Sequence, residues 1–322
     1  MSASTPPAPS AQPAASTDGP AGDTSKRRSV TGRSGRVGWL FITPNLVGFL
    51  SFTLLPLLAA IAIAFTGWNV VSGYSGITFV GLANFAEALG DGALWGAAGR
   101  TLLYAGVGVP ATMLGGLGLA MLLNRDIAGR TFLRVLFFLP HVVTSVAIGL
   151  VWLLLLNPDS GPVNAGLRAV GIDAPPDWLV SQTWGLPSLV MIAVWSAVGY
   201  NAVIYLSALQ AMPVDLYEAA ALDGASAFRR FTTVTWPALM PTTTFLAITM
   251  TIGQSQGFGL IAFLTQGGPG DSTTTLSYYM YQQGFQFYRF GYAAAVGMIS
   301  FVGVLLLTAF FWRFQKGRGL YT

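Results

Sequence analysis

The residues that could do chemistry in this chain are few, and their placement limits what that chemistry can be. There is one histidine, His141, and no cysteine. A multi-histidine metal site, thiolate zinc, an iron–sulfur cluster, a disulfide framework and a cysteine nucleophile are all excluded. The only lysines are Lys26 and Lys316, and no G-x-x-x-x-G-K-[ST] phosphate loop occurs, so ATP hydrolysis by this chain is not expected. All twelve Asp and Glu residues fall outside the middles of the long apolar stretches. Proton- or sodium-coupled carriers need an intramembrane carboxylate, and a membrane-embedded enzyme needs an acid–base pair or metal cluster, so both readings are disfavoured. His141 follows Pro140 with no ionisable partner nearby in sequence, and reads as a hydrogen-bonded residue rather than a proton relay.

What remains at mid-stretch depth is neutral and polar. Ser196 and Tyr200 are four apart and share a helix face, flanked by Trp195 and Asn201. Gln254, Ser255 and Gln256 cover about 200° of a helix at about 100° per residue, so at least one must face inward. Hydroxyls, amides and flat aromatic faces without charge suit a sugar. The same groups also suit packing between helices, and Gly253 and Gly257 form a G-x-x-x-G contact motif; the residues alone leave both readings open.

These residues must be positioned by membrane helices. Hydrophobic residues make up 53% of the 322 and charged residues only 9%, against about 25% charged in an ordinary soluble domain. Six stretches are long enough to cross about 30 Å of hydrocarbon, near 39–66, 101–123, 135–156, 187–209, 242–264 and 291–312. Of the sixteen Lys and Arg, all but Arg100, Arg168 and Arg289 lie in the two terminal tails or in the 124–134 and 210–241 loops. The basic side is cytoplasmic, which puts both termini inside a multi-pass plasma or inner-membrane protein. The same asymmetry accounts for the net charge of +4 without nucleic acid. Residues 1–37, rich in Ala, Pro, Ser, Thr and Gly, are expected to be a disordered cytoplasmic tail. A cleaved targeting peptide is the alternative, but the apolar run from Trp39 is too long for a signal core and lacks a clear cleavage site. Residues 38–315 form the membrane domain, and 316–322 a short cytoplasmic tail. Ala83 to Trp95 reads as a short interfacial helix, and Trp68, Trp178 and Trp184 as interface anchors.

The 210–241 loop, QAMPVDLYEAAALDGASAFRRFTTVTWPALMP, is the most informative segment. Pro213 suits the first position of a helix, Asp215 and Glu218 its first turns, and Gly224 its stop. Ser226 caps a second helix, which Trp236-Pro237 is expected to break before the fifth span. Ala219, Ala220, Ala221 and Ala225 keep the first helix thin enough for another protein to approach.

This loop resembles the EAA loop of permease subunits of ABC importers. The family pattern is E-A-A, three residues, G, nine residues, I, one residue, L-P. Here Glu218-Ala219-Ala220, Gly224, Val234, Trp236 and Pro237 occupy those places, with Val for Ile and Trp for Leu. The resemblance covers residues 38–315 and is similar to the carbohydrate-uptake branch, with maltose- and glycerol-phosphate-type permeases. It is carried further by GLANF (81–85), RTFLRVLFFLP (130–140), GLVWLLLLNPDSGPVNAGL (149–167), LTQGGPGDSTTTLSYYMYQQGF (264–285) and GYAAAVGMI (291–299). The large outer insertion of the maltose-type subunit is missing.

The resemblance implies an all-α, six-span permease of the type I importer fold, non-catalytic and without a cofactor. It implies two ATP-binding subunits, a second permease subunit as a heterodimer partner, an extracytoplasmic solute-binding protein, membrane lipid and a sugar substrate. Glu218, Ala219, Ala220, Asp223 and Gly224 would form the coupling helix and its turn, docked in a cleft of the ATPase. Sugar contacts of the maltose-type permease align with Ser196, Ala197, Tyr200, Gln254 and Gly257; Tyr200 keeps its residue type and Gln254 its amide. An importer for another polar solute such as glycerol phosphate is the alternative.

Overall fold

The computed structural model describes residues 34–316. Those residues are helical, joined by turns and two isolated β-bridges, Thr66 with Phe79 and Asn69 with Arg289. The chain divides into two units, Met1–Pro56 and Leu57–Thr322.

The first unit holds α1 (Ser34–Phe49), a π-helical turn, Leu50–Leu54, and the start of α2 (Leu55–Ala64), most of which belongs to the second. The Leu55 N–H donates to Leu50 O, five residues back. That widened turn comes immediately before Pro56, whose ring would press on the preceding turn of a regular α-helix. The most apolar 18-residue stretch within Trp39–Ala64 buries none of its residues within the chain, as for a helix covered by lipid or by other chains.

The second unit carries a short helix α3 (Ala83–Gly90), the long α4 (Gly92–Leu123), α5 (Arg130–Val142), α6 (Ser145–Leu155) and α7 (Pro162–Ala169). It continues with α8 (Gly185–Gln210), α9 (Val214–Leu222), α10 (Ala227–Arg230), α11 (Trp236–Ser255), α12 (Gly259–Leu264), α13 (Leu276–Tyr281) and α14 (Phe290–Lys316). Among the described residues, five helices are long and apolar enough to span a membrane, and a sixth if the α5–α6 pair counts as one span.

That pair corrects the expectation of a continuous third span at 135–156. α5 and α6 meet at 101°. Pro140 removes a backbone donor from α5, Val143 is extended, and Thr144 starts α6 afresh, its Oγ1 accepting from the Ala147 N–H at 3.4 Å. The second span begins at Gly92, so the expected interfacial helix ends at Gly90. The break expected at Trp236-Pro237 is also corrected. α10 passes through a second π-helical turn, Phe231–Thr235, directly into α11, with the Trp236 N–H on Phe231 O. Pro237 then stands in the first turn of α11, where its missing N–H costs nothing. The fifth span instead stops at Ser255 and resumes as α12, at the Gln254–Gln256 interruption.

The core is built from α4, α8 and α11. Leu117, Ala120 and Leu123 of α4 pack with Ala202, Tyr205, Leu206 and Leu209 of α8 and Leu239 and Leu246 of α11. Small residues let the backbones close: a Cβ at Gly116 would lie 2.6 Å from Asn201 Cβ and 3.2 Å from the Ala202 amide nitrogen. Toward the α13 end of the bundle, Tyr104, Leu189, Ala193, Ile261 and Tyr278 form another apolar cluster.

Candidate functional site: an exposed loop helix and a polar seam

α9 is a nine-residue helix that buries none of its residues. Pro213 sits at its N-cap in extended conformation rather than at the first helical position, so Val214 begins the helix. Asp215 lies in the first turn, where a negative charge suits the dipole. The helix ends in a paired closure: the Gly224 N–H donates to Ala221 O and the Ala225 N–H to Ala220 O, both at 3.0 Å. These are the two bonds of a Schellman motif, which needs a left-handed residue, and Gly224 has φ +72°. Asp223 is the last residue before that turn. Ser226 caps α10 as expected, its Oγ accepting from the Arg229 N–H.

The structure therefore brings Glu218, Ala219, Ala220, Asp223 and Gly224 together on one short helix and its turn. Val214, Glu218 and Leu222, at four-residue spacing, are exposed, Leu222 at 90%. What ties α9 to the bundle was not legible in the sequence. Tyr217 points back, its hydroxyl 3.0 Å from Thr235 Oγ1 and donating to Met212 Sδ at 3.3 Å. Thr235 lies in the π-helical turn that leads into α11, so α9 is tied to the start of a candidate span.

The mid-span residues separate onto different neighbours. Ser196 Oγ donates to Ala193 O at 2.9 Å, within its own helix. The Tyr200 ring stacks on His141 of α5 with centroids 4.5 Å apart and planes at 23°. Asn201 is fully buried; its amide donates to Ala197 O and Met250 Sδ, while its Oδ1 has no partner. Gln254 turns toward α4, where its amide fills the space a Cβ at Gly108 would occupy, and both amide atoms are buried without a partner. Gly257 lies against Tyr104, with Cε1 3.4 Å from where its Cβ would be. Gly108, Thr112 and Gly116 thus form a stripe along α4 facing Gln254 and Asn201. The Thr112 hydroxyl is buried without a partner as well.

Tyr200 meets His141 of α5, and Gln254 meets Gly108 of α4. Of the Gln254–Gln256 triplet, Ser255 and Gln256 line an open groove of 810 Å³, together with Ser277, Tyr281, and Gly297 and Ser300 of α14. A second feature missed by sequence reading is Trp152 of α6 set edge-on against Trp195 at 5.5 Å. Both aromatic contacts join residues far apart in sequence and depend on the α5–α6 bend. No group of three His, Asp or Glu side chains among the described residues could hold a metal ion.

Residues 108–318 match the family described as binding-protein-dependent transport system inner membrane component. A probable ABC transporter permease protein of Sinorhizobium fredii is 36% identical over 299 residues, 92% of this chain and 96% of that one. The sn-glycerol-3-phosphate transport system permease protein of Agrobacterium fabrum is 37% identical, covering 74% of this chain and 82% of its own. The trehalose/maltose transport system permease protein of Thermococcus litoralis is 33% identical, covering 86% and 92%. The crystal structure of a bacterial ABC transporter that imports the acidic polysaccharide alginate contains a chain of the same fold, with TM-score 0.77 and 24% identity over 88% of this chain and 96% of that one. The chain belongs to the binding-protein-dependent transport system inner membrane components, and is a non-catalytic, membrane-spanning permease subunit of an ABC transporter.

Proposed function

We propose that this chain forms half of the translocation path of an importer for a neutral sugar or oligosaccharide. A second, different permease subunit completes the path, two ATP-binding subunits drive it, and an extracytoplasmic solute-binding protein delivers the solute. The observation that carries this reading is α9: an exposed helix with outward Val214 and Leu222, closed by Gly224 and anchored through Tyr217 to α11. That geometry suits docking on an ATPase and passing its movement to a span. The relatives named for trehalose/maltose and for glycerol phosphate support a polar organic solute. The absence of charge at mid-span in the sequence favours the neutral one.

Both termini and α9 face the cytoplasm in this proposal, and the 157–186 and 266–289 segments face outward to receive the binding protein. A cytoplasm-specific reporter is expected to be active when inserted near Gly129 and silent near Gly171; activity at Gly171 overturns the orientation.

Tyr200 and Gln254 line the path, with Ser196 and Gly257 beside them. Their support is the buried, unpaired Gln254 amide, which gains partners if solute hydroxyls or ordered water reach it. The fit of the same amide against Gly108 favours a second reading, in which Gln254 packs helices. Uptake of maltose, trehalose and sn-glycerol-3-phosphate by Tyr200→Ala and Gln254→Ala transporters separates the two. A path role lowers uptake roughly tenfold, equivalent to about 1.4 kcal/mol, or reorders solute preference while the complex assembles normally. A packing role lowers the melting temperature in detergent and leaves preference unchanged.

A further inference from the structure

The end of the bundle opposite α9 holds a junction that the translocation reading does not use. Asp91 is the N-cap of α4, and its Oδ1 accepts from the Ala93 N–H at 2.8 Å. Its Oδ2 accepts from the hydroxyls of Tyr279, just before α13 ends, and Tyr292 of α14, the latter at 2.6 Å. Both tyrosines are buried, at 7% and 2% exposure, and their hydroxyls lie 3.4 Å apart. Burial alone would raise the Asp91 carboxyl, but the tyrosine and backbone hydrogen bonds outweigh it and hold the group below the ordinary carboxylate value. Asp91 is therefore an anion held by neutral donors, with no ion pair of its own among the described residues.

Two further side chains of α4 hold the same stretch of chain. Arg100 Nε donates to Thr274 O at 2.8 Å, and Thr101 Oγ1 accepts from the Leu276 N–H at 2.8 Å. The loop before α13 is itself closed by threonines. Thr273 Oγ1 donates to Thr265 Oγ1 or Gly268 O, Thr274 Oγ1 donates to Gly267 O, and residues 273–275 are at most 2% exposed. Arg289 completes the junction, its guanidinium over the Tyr292 ring at 4.4 Å and paired with Glu87 of α3. The loop is thereby held to α4 by Arg100 and Thr101 and leads into α13, where Tyr279 meets Asp91 at the start of α4, and Asp91 in turn meets Tyr292 in the first turn of α14.

We propose that Asp91, acting through Tyr279 and Tyr292, is a positioning residue that sets the 265–276 loop for the solute-loaded binding protein and links that loop to α4 and α14. The proposal rests on the outward placement of this loop given above. An ordinary helix cap would need only the Ala93 bond; the two buried hydroxyls converging on the second oxygen have no role in capping.

The test uses the complete transporter in liposomes with the binding protein recovered with the wild-type complex, carrying its endogenous solute. ATP hydrolysis is measured without that protein and across a range of its concentrations. Asp91→Asn, which replaces one acceptor oxygen by a donor, and Tyr292→Phe, which removes one hydroxyl, are expected to keep basal hydrolysis within twofold. Both are expected to raise the half-stimulating concentration at least fivefold, and Asp91→Glu to restore part of the difference. Unchanged half-stimulation in both variants overturns the proposal, as does a parallel fall in basal rate, stimulated rate and melting temperature, which marks a structural cap only. Failure of the wild-type complex to respond to any binding protein overturns the importer reading itself, and is distinguished by occurring without any substitution.

Discussion

Gly199→Ala is expected to be among the most damaging single substitutions in the membrane domain. A Cβ at Gly199 overlaps the carbonyl group of Phe137 and lies 2.9 Å from the Phe138 nitrogen. All three atoms are backbone, so no rotamer change relieves the overlap, and α5 and α8 must separate. Overpacking of this kind costs about 1–3 kcal/mol and sometimes more. Separation also takes His141 away from Tyr200, because Gly199 and Tyr200 are adjacent and meet the same turn of α5. The alanine protein is expected to melt at least several degrees lower in detergent and to be recovered poorly with its partners. Gly118→Ala is the control: nothing lies within 4 Å of its Cβ position, and alanine is the better helix former by about 1 kcal/mol. Equal melting temperatures for the two variants would show that α5 does not pack on α8 as described.

Gly224→Val is expected to uncouple the transporter rather than unfold it. Nothing lies within 4 Å of the Gly224 Cβ position, so crowding is no objection. Its φ of +72° is the objection, since a left-handed conformation costs an L-residue about 1–2 kcal/mol and a β-branched one more. The two closing bonds of α9, from Gly224 to Ala221 and from Ala225 to Ala220, then fail together. The helix loses its end, and Glu218, Ala219 and Asp223 lose their fixed presentation. Membrane insertion should be unaffected, because no span contributes to this turn. About 2 kcal/mol corresponds to roughly 30-fold, and solute-stimulated ATP hydrolysis is expected to fall by that order. Gly224→Asn should retain a substantial part of it, because asparagine enters the left-handed region more readily. Equal loss in Asn and Val variants points to a direct contact at Gly224 instead of a backbone requirement.

Much of this structure is legible in the sequence because the determining signals are local. Gly224 ends α9 for a reason that needs no tertiary information, and Ser226 announces the next helix in the same way. Six apolar runs follow from the length of helix needed to cross a bilayer. The third run shows where hydropathy stops being informative. Residues 135–156 are apolar on average, yet Pro140 and Thr144 end one helix and cap another. Both residue types carry that signal, but mean apolarity hides it. The second span, expected near 101–123, begins at Gly92, and Arg100 within it is held by Thr274 O. Pro237 reads as a breaker only if the preceding turn is α-helical; the π-helical turn at Phe231–Thr235 removes the conflict.

The polar site residues were legible as types but not as neighbours. That Gln254 is polar at mid-span is evident; that it meets Gly108 rather than Tyr200 depends on how α11 rotates against α4. Tyr217 and Asp91 were invisible for the same reason. Their partners, Thr235 and the pair Tyr279 and Tyr292, lie 18 to 201 residues away in sequence. A single sequence shows which side chains want a partner and seldom which one they find.

Energy source is the central claim, and uptake into liposomes tests it most directly. The purified chain is combined with its second permease, ATP-binding subunits and binding protein, and uptake of radiolabelled maltose or trehalose is followed with and without internal ATP, and with imposed proton or sodium gradients. The account predicts uptake only when ATP, the ATP-binding subunits and the binding protein are all present, with no response to either gradient and no ATP hydrolysis by this chain alone. Gradient-driven uptake by the chain in the absence of ATP and ATPase subunits would contradict it.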